Sequence, residues 1–282
     1  LAMLRLREAH KAPPLNRHGY GDRDVLERID IDTLRAAWRA RQDELARLRR
    51  FHRQRLYPSL QVVRDLLATR ADGDLLADEA LQHALADLRR IDDQLLQSAE
   101  RIVHAHESAS KPWTANDLVR RLTDRAHEVL RSARAVAITG GHVAVLLNRL
   151  QFFGVDQILR ELHERGTPIL AWSAGSMVLT ERIVLYYDDP PDGAGHPELL
   201  DRGFGLSKGV VMLPHASKRL RLDDKRRVGL LATRFAPAVC IGLENGAWLC
   251  RDGDRFTNGG APGTAVRLFP DGNVERLPQE ES

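Results

Sequence analysis

Cysteine, aromatic residues, long apolar runs and charge of one sign are all scarce in this chain, and each scarcity excludes something. Two cysteines, Cys240 and Cys250, in 282 residues make no disulfide framework, so the default expectation is a reducing compartment, the cytoplasm. Both lie in or beside apolar, strand-like segments and read as plain buried thiols. No apolar run approaches the ~20 residues that cross a bilayer, so no membrane partner is expected. Leu1–Arg7 lacks the apolar core and cleavage site of a secretory signal; the chain opens on Leu rather than Met, as a fragment of a longer product would. The formal charge is only +3 despite a pI near 9.1, too small an excess to point to nucleic acid. The basic run Arg47–Arg55 reads as a solvated helix face, since a nucleic-acid groove would want aromatic interleaving or more charge. What is present, 43% hydrophobic and 29% charged residues, suffices for one large or two small soluble domains.

The chain changes character near Arg134. Residues 1–22 read as irregular, with a short strand at Met3–Leu6 and breakers at Pro13-Pro14 and Gly19-Tyr20-Gly21. Residues 23–132 read as a helical hairpin or bundle, either an insertion or an extra domain. Leu34, Trp38, Leu45 and Leu48 share one helix face; Pro58 is expected to interrupt that helix, which resumes over Ser59–Arg70. Leu81, Ala84, Leu88, Ile91, Leu95, Ser98 and Ile102 step by threes and fours along a long second helix. Thr114 caps a third, ending near Ser132. Residues 133–282 alternate strand and helix, the pattern of an α/β domain with a mainly parallel sheet covered on both faces. Its functional residues should collect beyond the C-terminal strand ends, where Gly140-Gly141, Ser173 and His215 fall.

The sharpest feature is Ala171-Trp172-Ser173-Ala174-Gly175-Ser176 after the apolar Pro168-Ile169-Leu170. A strand ending in a small-residue turn before a helix thrusts a serine hydroxyl out of the backbone, as a nucleophile elbow does. Such a serine needs a base and N–H donors for the oxyanion. His215, at the end of the next core strand, supplies the base. Gly140, Gly141 and the Ala174 N–H supply the oxyanion hole.

At these residues the C-terminal half resembles the dipeptidase E and cyanophycinase family of serine peptidases. The motifs run in order: Ile138-Thr139-Gly140-Gly141-His142 with Leu146-Leu147, the elbow at Ser173, Leu213-Pro214-His215, and Ile241-Gly242-Leu243-Glu244-Asn245-Gly246-Ala247-Trp248. The resemblance covers roughly residues 134–270 and implies a class I glutamine amidotransferase-like, flavodoxin-like three-layer sandwich. It implies Ser173 as nucleophile and His215 as base, without metal or cofactor. The acid stays open. Asp188 falls where members carry an aspartate after the elbow helix. The alternative family acid is a glutamate in the late turn, where Asn245 aligns and Glu244 stands one place earlier, so a local bulge would have to deliver Glu244. A third possibility is that Asn245 itself orients the imidazole, as asparagine does in papain-like enzymes.

Departures from the family pattern matter as well. Ala171 replaces the first glycine of the elbow. His142 stands where the family has Asn or Asp, as pocket wall or substrate contact. Helices occupy the space where the family begins its sheet. Arg219, with Lys218 and Arg221, either solvates a loop or holds a substrate carboxylate, the second suiting a family that cleaves next to acidic residues. His104 and His106, two apart on a helix, make a poor metal pair, and the other histidines lack metal-ligand spacing. The elbow has no cysteine, so glutaminase chemistry is not expected. The expected protein is a serine-type peptidase or amide hydrolase acting on small peptides. The alternative is a non-catalytic scaffold whose helices serve a partner or a homodimer, motivated by the seam from Leu81 to Ile102.

Overall fold

The structure is a computed structural model that describes residues 31–69, 71, 73–108, 117–186, 196–252 and 255–280. The strand expected at Met3–Leu6, the segment 1–22, and the loop carrying Asp188 lie outside the described residues. In chain order the elements are α1 (Ile31–Thr69), α2 (Leu75–Glu107), α3 (Asp117–Arg131), β1 (Val136–Ile138), α4 (Val143–Phe152), α5 (Val155–Glu164), β2 (Ile169–Ala171), α6 (Ala174–Val178), β3 (Arg182–Leu185), β4 (Glu198–Arg202), β5 (Val210–Pro214), α7 (Ala216–Arg219), α8 (Lys225–Phe235), β6 (Val239–Leu243), β7 (Leu249–Asp252), β8 (Arg255–Asn258), β9 (Ala265–Leu268) and β10 (Val274–Arg276). Among the described residues no helix is long and apolar enough to cross a membrane.

The chain divides into two compact units, Leu1–Leu48 with Ser98–Gly175, and Arg49–Gln97 with Ser176–Ser282. In the first, α5 turns Val155, Ile158, Leu159 and Leu162 inward at i, i+3, i+4 and i+7, all buried. Trp38 on α1 meets the Phe152 ring edge-on at 4.8 Å, an aromatic pair of favourable geometry. The Gln42 and Asn148 amides exchange hydrogen bonds of 3.4 and 3.1 Å. β1 pairs with β2 in parallel, Val136 opposite Ile169 and Ile138 opposite Ala171.

The second unit corrects the expectation of a break at Pro58. Helix α1 runs through it without interruption. An interior proline removes one N–H bond and costs about 3 kcal/mol. Leu56, Leu60 and Val63, at most 2% exposed and flanking the exposed Pro58 in sequence, pack against Leu81, Leu85 and Leu88 of α2 and Leu230 of α8. At roughly 2 kcal/mol per large apolar side chain removed from water, that cluster outweighs the proline. The seam on α2 is thereby covered, over Leu81–Leu88, by the chain's own helices.

Among the described residues the strands form four small ladders of mixed sense, which do not bear out the expected mainly parallel sheet. The largest has the order β10-β9-β6-β5. Within it β5 and β6 are parallel, Pro214 opposite Leu243, whereas β6–β9 and β9–β10 are antiparallel. β3–β4 and β7–β8 are antiparallel pairs. Strands β3, β4 and β10 have no counterpart among the elements expected from the sequence.

A buried charge cluster ties α1, α2 and α8 together. Arg234 grips Asp92 with two bonds of 2.7 Å, and the His52 ring meets the same carboxylate at 3.1 Å. The Arg234 and Asp92 side chains are 1% exposed and that of His52 4%. A third Arg234 nitrogen donates to the Pro197 carbonyl at 2.5 Å. Burial pushes the Asp92 carboxyl up, but the Arg234 charge and the hydrogen bonds from His52 and Arg234 outweigh it and hold the group below the usual aspartate range. Removing one member strands the opposite charge in the interior. Asp92→Ala is therefore expected to lower the unfolding free energy by about 3–5 kcal/mol at neutral pH in urea melts. Because the folded-state value lies below the unfolded one, this stabilisation is complete above about pH 4. It fades as the pH falls through the lowered value, so the gap between wild type and variant should narrow in acid.

Candidate active site

The first unit builds the serine turn. Parallel register brings the C-terminal ends of β1 and β2 level, so Thr139-Gly140-Gly141 and Trp172-Ser173 leave the ladder side by side. The Trp172 N–H adds one more rung by donating to the Ile138 carbonyl at 3.1 Å. The Gly175 N–H then donates to the Trp172 carbonyl at 3.0 Å, closing the bend. Ser173 sits at its apex with φ +54°, in the left-handed region that a residue bearing a Cβ occupies at a cost.

Two glycines are required by space. A Cβ on Gly140 would lie 2.7 Å from the Ser173 Cβ and 3.0 Å from its Oγ. A Cβ on Gly175 would press into the Ile138 carbonyl oxygen. Gly141 has φ +135° and open space around its Cα, a backbone that glycine alone adopts readily. Ala174, 3% exposed, opens α6. Gly140 thus lies against Ser173 and the Ala174 N–H, with Gly141 next in the chain. His142 is exposed and precedes α4, its carbonyl accepting from the Leu146 N–H at 2.9 Å.

The second unit builds the histidine turn. His215 follows β5, is half-buried, and has φ +61°. Its N–H donates to the Leu243 carbonyl at 2.6 Å, continuing the β5–β6 ladder past Pro214. The Tyr186 hydroxyl, buried beneath, donates to the Pro214 carbonyl at 2.5 Å. Glu244 follows β6; its carboxylate accepts from the Ser217 N–H at 2.5 Å, and its own N–H donates to the Thr264 carbonyl at 2.8 Å. Asn245 is exposed in the adjoining turn. Ser217, Lys218, Arg219, Arg221 and Asp223 line a hollow of about 310 Å³ beside this turn.

Tyr186 and Ser217 are two residues of this turn that sequence patterns do not reveal. Gly242 carries a readable signal, since a glycine within a strand marks close approach by other groups. A Cβ there would meet the Ala216 Cβ at 2.8 Å and Val266 Cγ2 at 2.9 Å. Of the cysteines, burial pushes the Cys240 thiol up to about 12, which keeps it protonated. Cys250 donates to the Glu280 carboxylate at 2.8 Å, and that bond raises its pKa. Among the described residues no cluster of three His, Cys, Asp or Glu side chains is arranged to hold a metal ion.

A serine on a strand-to-helix bend, its backbone left-handed and backed by glycines, has the form of a nucleophile elbow. Residues 99–259 match the model of Peptidase family S51, more than half of the 282-residue chain, and the chain belongs to that family. It is a serine-type peptidase of the dipeptidase E kind. No curated protein matches it. Among solved structures, a peptidase from an acI-B1 Actinobacterium is 20% identical with a TM-score of 0.42, over 69% of this chain and 76% of that one. A putative peptidase E protein from Listeria monocytogenes EGD-e is 17% identical with a TM-score of 0.35, over 58% and 76%.

The close approach at Gly140 yields a direct expectation. Gly140→Ala should displace Ser173 and slow its labelling by a fluorophosphonate at least tenfold, with the thermal unfolding temperature changed by only a few degrees. Labelling at the wild-type rate would show that the turn can absorb the methyl group.

Proposed function

We propose that the chain hydrolyses peptide or amide bonds with Ser173 as nucleophile and His215 as general base. One observation carries this reading: among the described residues, Ser173 and His215 are the two non-glycine residues with left-handed backbone. Each such residue costs on the order of 1–3 kcal/mol and persists where its surroundings enforce it. Here the costs fall on the residue types that acyl transfer requires.

Ser173 Oγ attacks the substrate carbonyl as its proton passes to the His215 imidazole. The carbonyl oxygen becomes an oxyanion facing N–H groups at Gly141 and Ala174, with Gly140 leaving room for it. The imidazolium then gives its proton to the leaving amine. Water, activated by the same ring, releases the acid product and restores the hydroxyl. The family pattern offers Asp188, Glu244 and Asn245 for orienting the imidazole; the Glu244 carboxylate is already engaged by the Ser217 N–H, which favours Asp188 or Asn245. The order of the motifs supports a glutamine amidotransferase-like three-layer scaffold as the framework of this site.

Small peptides bearing carboxylates are the substrate class that the surroundings of His215 favour. Lys218, Arg219 and Arg221 place positive charge beside its turn, where a guanidinium can grip a carboxylate in bidentate fashion. Exposed His142 adds a polar contact beside the Gly140-Gly141 turn. The unpaired thiols Cys240 and Cys250 suit a reducing compartment.

A fluorophosphonate probe should label the purified protein at one position, mapped by mass spectrometry to Ser173. Ser173→Ala should abolish labelling, and His215→Ala should slow it by two orders of magnitude or more. A folded wild-type protein that takes up no probe would sink the proposal.

A further inference from the structure

We infer that Glu244 is a positioning residue for His215, acting through the backbone of the turn and not as the charge partner of the imidazole. The inference rests on the proposed role of His215. Its ground is where the Glu244 carboxylate is spent. Oε1 accepts from the Ser217 N–H at 2.5 Å. That N–H belongs to the first turn of α7, a four-residue helix beginning one residue after His215. An N–H in the first turn of a helix lacks an intrahelical acceptor, so an outside carboxylate is a natural partner and forms a strong, charge-assisted bond.

The geometry makes this bond one of four restraints on the same turn. Upstream, the Tyr186 hydroxyl holds the Pro214 carbonyl at 2.5 Å. At the turn itself, the His215 N–H is bound to the Leu243 carbonyl at 2.6 Å. Downstream, Ala216 is fully buried against Gly242, where a Cβ would come within 2.8 Å of the Ala216 methyl. Glu244 then ties down Ser217. Parallel pairing of Pro214 with Leu243 sets Glu244 beside His215 at the end of the ladder, so a short reach suffices. Three of the anchors, Gly242, Leu243 and Glu244, are consecutive, which gives that run a single purpose: it is the bed on which the histidine turn lies.

A left-handed histidine needs such a bed. With φ +61° and ψ 40° its backbone lies in a narrow well. Loss of a restraint lets the turn relax towards commoner conformations and swings the imidazole axis. A misplacement of about 1 Å can cost 10²-fold in rate. Because the anchoring group acts as an acceptor, the amide oxygen of glutamine can receive the Ser217 N–H in its place through a weaker, neutral bond. A triad acid behaves differently, since replacing it by its amide typically costs about 10⁴ in kcat.

The test compares Glu244→Ala and Glu244→Gln with wild type in three readouts: fluorophosphonate labelling rate, kcat and KM for hydrolysis of p-nitrophenyl acetate across pH, and amide hydrogen exchange at Ser217. Glu244→Ala should lower the labelling rate and kcat by 10- to 100-fold with KM little changed, and should speed exchange at Ser217. Glu244→Gln should restore both rates to within about threefold of wild type, with the wild-type pH profile and a protected Ser217 amide. If Glu244→Gln is as impaired as Glu244→Ala, or shifts the acid limb of the profile, the carboxylate acts by its charge and the inference is overturned. Slow exchange at Ser217 in Glu244→Ala would overturn it as well. Failure of the wild-type protein to react with the probe would count against the proposed function instead, and the exchange measurement would still decide whether Glu244 holds the turn.

Discussion

The site depends on how closely two backbone segments approach at the end of the β1–β2 ladder. There the chain at Gly140 lies so near Ser173 that a single methyl group would collide with the serine side chain. Gly175, on the other side of the bend, has no room for one against the Ile138 carbonyl. The approach is dictated by parallel register, which levels the two strand ends, and by one further rung from Trp172 to Ile138. Ser173 keeps its left-handed backbone within that close approach. The shape of the bend is therefore a product of what the neighbouring residues lack, namely side chains.

The histidine turn reaches the same end by the opposite means. Its conformation is enforced by hydrogen bonds from outside: a tyrosine hydroxyl below, a strand carbonyl beside it, and a glutamate on the helix just after it. Much of the same unit is held by the buried Asp92–Arg234–His52 cluster and by the leucine cluster that joins α1, α2 and α8. A proline in mid-helix and an ionised pair in the core are each costly in isolation. Their presence shows that packing between α1, α2 and α8 dominates local preference.

Legibility in the sequence tracks the range of the interactions. The serine bend is readable because everything that makes it is local: an apolar strand, small residues, then a helix. β6, Val239–Leu243, carries the same local signal, an apolar run closed by a turn. Gly140-Gly141 and Pro214-His215 are likewise punctuated by residues with special backbone preferences. The continuous α1 is not readable, because what overrides Pro58 lies on α2 and α8. The buried cluster is hidden for the same reason: Asp92 and Arg234 are 142 residues apart. Strands β3, β4 and β10 are three to five residues long, too short for their alternation to stand out. The family resemblance leaves Glu244 one place away from the family glutamate, and what its carboxylate touches is a property of the fold.

The central claim is that the serine bend presents its hydroxyl to an oxyanion site. The most direct measurement is a crystal structure of the protein after reaction with a phosphonate that mimics the tetrahedral intermediate. The expected result is a covalent bond to Ser173 Oγ and a phosphoryl oxygen about 2.7–3.1 Å from the Gly141 and Ala174 nitrogens. An adduct on another residue, or a phosphoryl oxygen turned out to solvent away from both N–H groups, would contradict it.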